Sequence, residues 1–149
     1  METIKTYMAK EHELCNTLFF KIHQYIIEEK WSLAKNIFSK FFLEINTHIK
    51  NEETILFPKL KKCINASNIL ISIINNEHTK IKKLLHNINY QINNKKKLAF
   101  FTIYNKTIII LKIHSIKEEQ IFYPMLDNKF SKELLELIIK VNNNKKNCS

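Results

Sequence analysis

Buried-face residues advance along the first part of the chain by alternating steps of four and three: Met8, His12, Cys15, Phe19, Ile22 and Ile26. This is the rhythm of a helix that buries one face. It returns at Ile71, Ile74, His78, Ile81, Leu85, Ile88 and Ile92. Two further seams read Ala34, Phe38, Phe41, Ile45, His48, Glu52, Ile55 and Phe100, Tyr104, Thr107, Leu111, His114, Glu118, Ile121. Four helices are predicted, each with ionisable residues set into its apolar face. Breaks are expected at "EEKW", at "KKCINASN" after Pro58, at "NNKKK" and at "DNKFS". Asparagine, which tolerates the left-handed conformation, is expected to close helix ends. Phe57-Pro58 and Tyr123-Pro124 are expected to end or kink their helices, with the aromatic packing beneath. A short fifth helix is expected from Lys132 to Val141.

The chain can be laid on itself with an offset of 66 residues. Glu11-His12 then meets Glu77-His78, His48 meets His114, Glu52-Glu53 meets Glu118-Glu119, and Phe57-Pro58 meets Tyr123-Pro124. A repeat present only twice predicts two helical hairpins packed together, because a solenoid needs three or more units to bury its faces. The expected architecture is an all-α, up-down-up-down four-helix bundle over about residues 5–127, with the C-terminal helix and a basic tail over 131–149, all in one domain.

Composition narrows this further. With no glycine and two prolines among 149 residues, the turns of hairpins and barrels lack their usual residues. Three cysteines, Cys15, Cys63 and Cys148, form no CxxC pair, which fits a reducing compartment and no thiolate metal site. Met1 to Lys10 lacks the apolar core of a signal peptide, and no apolar run is membrane-spanning in length. A soluble, cytoplasmic protein is expected. The formal net charge of +10 is scattered over helix faces rather than gathered in a stripe, so nucleic-acid binding is disfavoured.

Residues four apart on a helix share a face, so His48 with Glu52, and His114 with Glu118, each aim an imidazole and a carboxylate at one point. Glu53 and Glu119 stand about 140° around from their histidines and are read as supporting or surface groups. Carboxylates inside an apolar seam repel each other and lose hydration unless cations hold them. A lone histidine in a seam is usually a satisfied core residue, but four at duplicated positions, two with an inward glutamate, point to a shared task. The set His12, His48, Glu52, His78, His114 and Glu118 offers imidazole and carboxylate and no thiolate. That donor set suits two iron ions held by bridging carboxylates, with manganese or zinc weaker fits. His23 and His86 lie one residue beyond seam positions and are expected at the surface, and Cys15 is expected as a small core residue. There is no ExxH and no HExxH, the signatures of ferritin-like di-iron bundles and of zinc proteases.

The segments "KEHELCNTL", "HIKNEETILFP", "NEHTKIKKL" and "HSIKEEQIFYP" resemble the four helices of the hemerythrin-like HHE cation-binding domain. The resemblance implies a non-haem di-iron site, with His12, His48, His78 and His114 as terminal ligands and Glu52 and Glu118 as bridges. The oxygen carriers of that family have a fifth histidine four residues after the third-helix ligand and an aspartate bridge. Here Lys82 and Glu118 take those places. The ligand set is instead similar to that of the Repair of Iron Centres proteins. Two functions are thereby implied: binding or reaction of a small oxidant (dioxygen, nitric oxide or peroxide), or delivery of iron to damaged iron-sulfur proteins. Neither the oligomeric state nor a catalytic turnover is legible.

Overall fold

The computed structural model describes residues 1–63, 65 and 67–146, with Ser131 and 144–146 described in backbone alone. Ile64 and Ala66, inside the break expected after Pro58, and 147–149 of the basic tail lie outside the described residues. The chain is an all-α bundle of long antiparallel helices: α1 (Ile4–Ile27), α2 (Trp31–Asn51), α3 (Phe57–Cys63), α4 (Ser67–Asn93), α5 (Lys97–Lys117) and α6 (Tyr123–Lys146). Pairs α1/α2 and α4/α5 form the two hairpins, α2 packs on α4, and α1 also packs on α5 and α6.

Between α2 and α3, and again between α5 and α6, the helix does not stop but widens into one π turn, Glu52–Leu56 and Glu118–Phe122. The Phe57 N–H reaches back to the Glu52 carbonyl and the Tyr123 N–H to the Glu118 carbonyl, each spanning one residue more than an α-helix does. The extra residue advances the inward face. Of the two residues expected in the seams, Ile121 turns outward and is 49% exposed, Ile55 is only half-buried at the edge of the core, and the buried positions become Leu56, Phe57, Phe122 and Tyr123. Pro58 and Pro124 therefore do not end their helices, which run on as α3 and α6. Each lies where i→i−5 bonding returns to i→i−4, where a missing N–H and a ring against the preceding turn cost least.

The expected break at "DNKFS" and the separate short helix Lys132 to Val141 are likewise replaced by the single helix α6. Asp127, inside α6, has a specific task. Its carboxylate accepts from the Ile4 and Lys5 N–H groups at 2.7 and 3.0 Å, placing a negative charge at the positive end of α1. Thr3 and Thr6 complete that cap with reciprocal side-chain bonds.

Among the described residues asparagine does not occupy the left-handed helix ends; Glu29 (φ 57°) and Lys95 (φ 53°) do. The two positions are related by the repeat, and both close the same motif. Lys30 N–H bonds Tyr25 O and Glu29 N–H bonds Ile26 O, while Lys96 N–H bonds Gln91 O and Lys95 N–H bonds Ile92 O.

Two apolar cores fill the bundle. One, around Phe19, Phe41, Leu85 and Phe100, lies toward the Glu28–Lys30 and Asn94–Lys96 turns. The other, around Met8, Leu60, Ile74, Leu126 and Ile138, lies toward the opposite end and is closed by α6. Between them lies a layer of buried histidine and glutamate. No helix is long and apolar enough to cross a membrane among the described residues.

Candidate metal centre

The seams of α1, α2, α4 and α5 bring His12, His48, His78 and His114 to the same level, and the two π turns add Glu52 and Glu118. All six side chains are buried, the most exposed of the residues at 7%. Two clusters of donor atoms form, Glu52, His78, His114, Glu118 on one side and His12, His48, Glu118 on the other. Glu118 belongs to both. His114 Nε2 lies 2.9 Å and His12 Nε2 3.1 Å from its two oxygens, and His78 Nε2 lies 3.1 Å from Glu52 Oε2.

Each of these four histidines is held from behind by a carboxylate. His12 Nδ1 meets Glu119 at 2.7 Å, His48 meets Glu11 at 2.8 Å, His78 meets Glu53 at 2.9 Å and His114 meets Glu77 at 2.9 Å. An Nδ1–H donated to a carboxylate fixes the ring's rotation and aims Nε2 inward, so that loss of the Nε2 proton exposes the lone pair a metal ligand needs. Glu53 and Glu119 thus support the site, as their angle on the helix predicts. Glu11 and Glu77 were not assigned a task from spacing, although the duplicated Glu-His pairs were their trace.

Lys82 does not enter the site; its Nζ lies 3.3 Å from Glu53 Oε1, behind His78. Lys117 pairs with Glu77. Asn142 of α6 donates to Glu11 at 2.7 Å and accepts from Asn51 at 2.8 Å, so the C-terminal helix also braces this shell. His86 is exposed, as expected. His23 is a correction: it is half-buried between Phe101 and Tyr104, at 5.2 and 4.7 Å between ring centres, because α5 is apolar on nearly every face. Neither joins the site.

Tyr123 does join it, and spacing did not announce it. Its hydroxyl donates to Glu52 Oε1 at 2.7 Å and lies 3.2 Å from Glu118 Oε2, 3.2 Å from His48 Nε2 and 3.4 Å from His12 Nε2. In a regular helix a residue five after Glu118 would face elsewhere; the π turn brings it round.

The electrostatics follow from this crowding. Burial opposes charge on His12 and His78, yet the glutamates beside them hold the rings up at about 9 and about 10. His114 is raised by Glu118 against the same opposition. Burial works to raise Glu118, but His114, His12 and His78 together hold it well below the usual carboxylate range. The Tyr123 phenol is pushed far up, first by burial and then by the charges of Glu118 and Glu52. Even so, Glu52 Oε2, His78 Nε2 and Glu118 Oε1, fully buried and within 3.1 Å of an oppositely charged neighbour, are not aligned with it as a hydrogen bond. Buried polar atoms without partners are costly, and here all three converge on one cluster. The arrangement fits a cation that imidazole and carboxylate can share.

A model of the hemerythrin HHE cation-binding domain matches residues 3–99. The chain belongs to that family. The matched span holds α1 through α4 and the start of α5, while His114, Glu118 and Tyr123 of this hemerythrin-like chain lie beyond it and complete the site by the repeat. No curated protein and no solved structure matches the chain. Within the hemerythrin HHE fold, then, the buried histidine and glutamate layer fits a metal-binding site.

Proposed function

We propose that this hemerythrin-like protein is cytoplasmic, holds two iron ions between the four histidines and two glutamates, and binds or reacts with a small oxidant: dioxygen, nitric oxide or peroxide. One observation carries the choice of ligand. A cavity of about 20 Å³ lies against His12, His48 and His114, its other walls largely apolar: Ile45, Ile49, Ile81, Leu111 and the Cys15 side chain. A cavity needs roughly 10–15 Å³ to hold one water, so this one has room for a molecule of two or three atoms.

Iron, when bound, supplies open coordination positions and electrons for such a ligand. The chain's own part is to place and shield it. His12 and His48 present one pair of Nε2 atoms and His78 and His114 the other, while Glu52 and Glu118 each have an oxygen toward both pairs. The outer carboxylates prevent the rings from turning away. The two apolar cores above and below the layer exclude bulk water. Burial pushes the Cys15 thiol up to about 12, so this cavity wall stays neutral and unreactive. Manganese or zinc would satisfy the same donors less characteristically. Delivery of iron to iron-sulfur proteins, the competing reading, calls for easy release, whereas burial of all six donors favours retention.

Protein purified without oxygen should contain two irons per chain, and its visible spectrum should change on adding oxygen or nitric oxide. Two zinc ions per chain with no spectral response would overturn the proposal. Transfer of iron to an apo iron-sulfur protein would replace it with the delivery reading.

A further inference from the structure

The repeat duplicates every donor of the site and then breaks at one atom. Phe57 and Tyr123 are related by the 66-residue offset. They sit alike, Phe57 against His78 and Tyr123 against His12, both at 5.9 Å between ring centres. Only Tyr123 carries an oxygen, and that oxygen points between His12, His48, Glu52 and Glu118 rather than to solvent. Donors at right angles about 2.1 Å from one ion stand about 3 Å apart. The 2.7–3.4 Å separations of this hydroxyl from four donor atoms belong to that range.

The supporting shell breaks the same way. Behind His78 and His114, Glu53 and Glu77 are each paired with a lysine, Lys82 and Lys117. The positions related to Lys82 and Lys117 by the repeat are Asn16 and Asn51, both neutral. Among the described residues neither Glu119 nor Glu11, behind His12 and His48, has a lysine at ion-pair distance. One half of the site is therefore ringed by uncompensated carboxylates and faces a phenol oxygen. The other has its outer charges cancelled and faces a plain phenyl ring. Negative charge and hard oxygen donors stabilise the more highly charged ion.

We infer that the two metal positions are chemically different: the Tyr123 oxygen is a fifth protein donor between His12 and His48, and that position is built to hold iron in the trivalent form, the other in the divalent form. The inference rests on the di-iron reading above. Oxidation would remove one electron from the ferrous ion beside Tyr123. With ferricyanide as oxidant the electron yields ferrocyanide, and the phenolic proton leaves to solvent as the oxygen binds.

The test loads the full chain with ferrous iron anaerobically and titrates it with ferricyanide, following visible absorption, resonance Raman and electron paramagnetic resonance. The first electron removed per chain should produce a tyrosinate-to-iron charge-transfer band with tyrosine ring modes and a mixed-valence signal. Tyr123→Phe should fold, lack that band, and lose one of its two irons to a chelator on the order of tenfold to a hundredfold faster than wild type. Two irons with no tyrosinate modes, and a Tyr123→Phe protein of unchanged spectrum and iron retention, would overturn the inference and leave the di-iron reading standing. A wild-type chain that takes up no iron would remove both together.

Discussion

Glu118 is the residue on which the site's two halves depend equally, and Glu118→Gln tests that dependence. The substitution keeps the shape and removes the charge. In wild type, Glu118 lies in both donor clusters, whereas His12 lies in one. A metal present at 100 times its dissociation constant adds about 2.7 kcal/mol to folding stability, so two independent sites add about 5 kcal/mol. At about 2–4 °C per kcal/mol for a chain of this size, metal should raise the melting temperature by roughly 10–20 °C. Each variant is compared with its own metal-free form, because Glu118→Gln also leaves His12, His78 and His114 without their shared counter-charge. Thermal melts followed by circular dichroism, with anaerobic ferrous iron or with chelator, give the difference directly. His12→Ala should keep about half of the metal-dependent rise and Glu118→Gln almost none. If Glu118→Gln keeps half or more, the carboxylate is not shared between the two positions.

Other outcomes follow from the same structure. His12 and His78 are raised from 6.5 to about 9 and about 10, so their contribution to the metal-free fold is complete below pH 6.5 and is lost as pH rises through 9 to 10. Metal must displace those protons, so the metal-free melting temperature should fall, and the increment on adding metal should grow, between pH 6.5 and 9. Glu29→Gly and Lys95→Gly relieve two left-handed non-glycine positions, each by about 0.5–1 kcal/mol net of glycine's own entropy. Together they should raise the metal-free melting temperature by roughly 2–8 °C, and a decrease would refute the strain assignment. Leu111→Phe fills the cavity wall at an overpacking cost of about 1–3 kcal/mol. It should retain both metals by elemental analysis yet lose the spectral response to nitric oxide.

Much of this was legible in the chain because the repeat was. The seams of α1 and α4 read correctly from Met8 to Ile26 and from Ile71 to Ile92, since alternating steps of three and four are the helix's own period. The seam of α5 was harder, because Ile109, Ile113 and Ile116 face outward and are half or more exposed. The seam read from periodicity is nonetheless the buried one from Phe100 to Glu118. Where the seams were extended past Glu52 and Glu118 at α-helical spacing, Ile121 was wrongly placed inside and Ile55 proved only half-buried, at the core's edge. A π turn has no strong sequence signature. It forms because Glu52 and Glu118 must point into the layer while Phe57 and Tyr123 also bury, and one extra residue lets both happen.

The sequence alone therefore determined the four bundle helices, the duplicated topology and the six histidine and glutamate donors, because these follow from local periodicity and from identity between two copies. Tertiary structure decided how the donors are held and how the copies differ. Glu119 reaches His12 and Glu11 reaches His48 across separate helices, and Asn142 braces Glu11 from the far end of α6. The Tyr123 oxygen enters the centre for the same reason: packing, and not spacing along the chain, sets which atoms distant in sequence share a few ångströms of buried space.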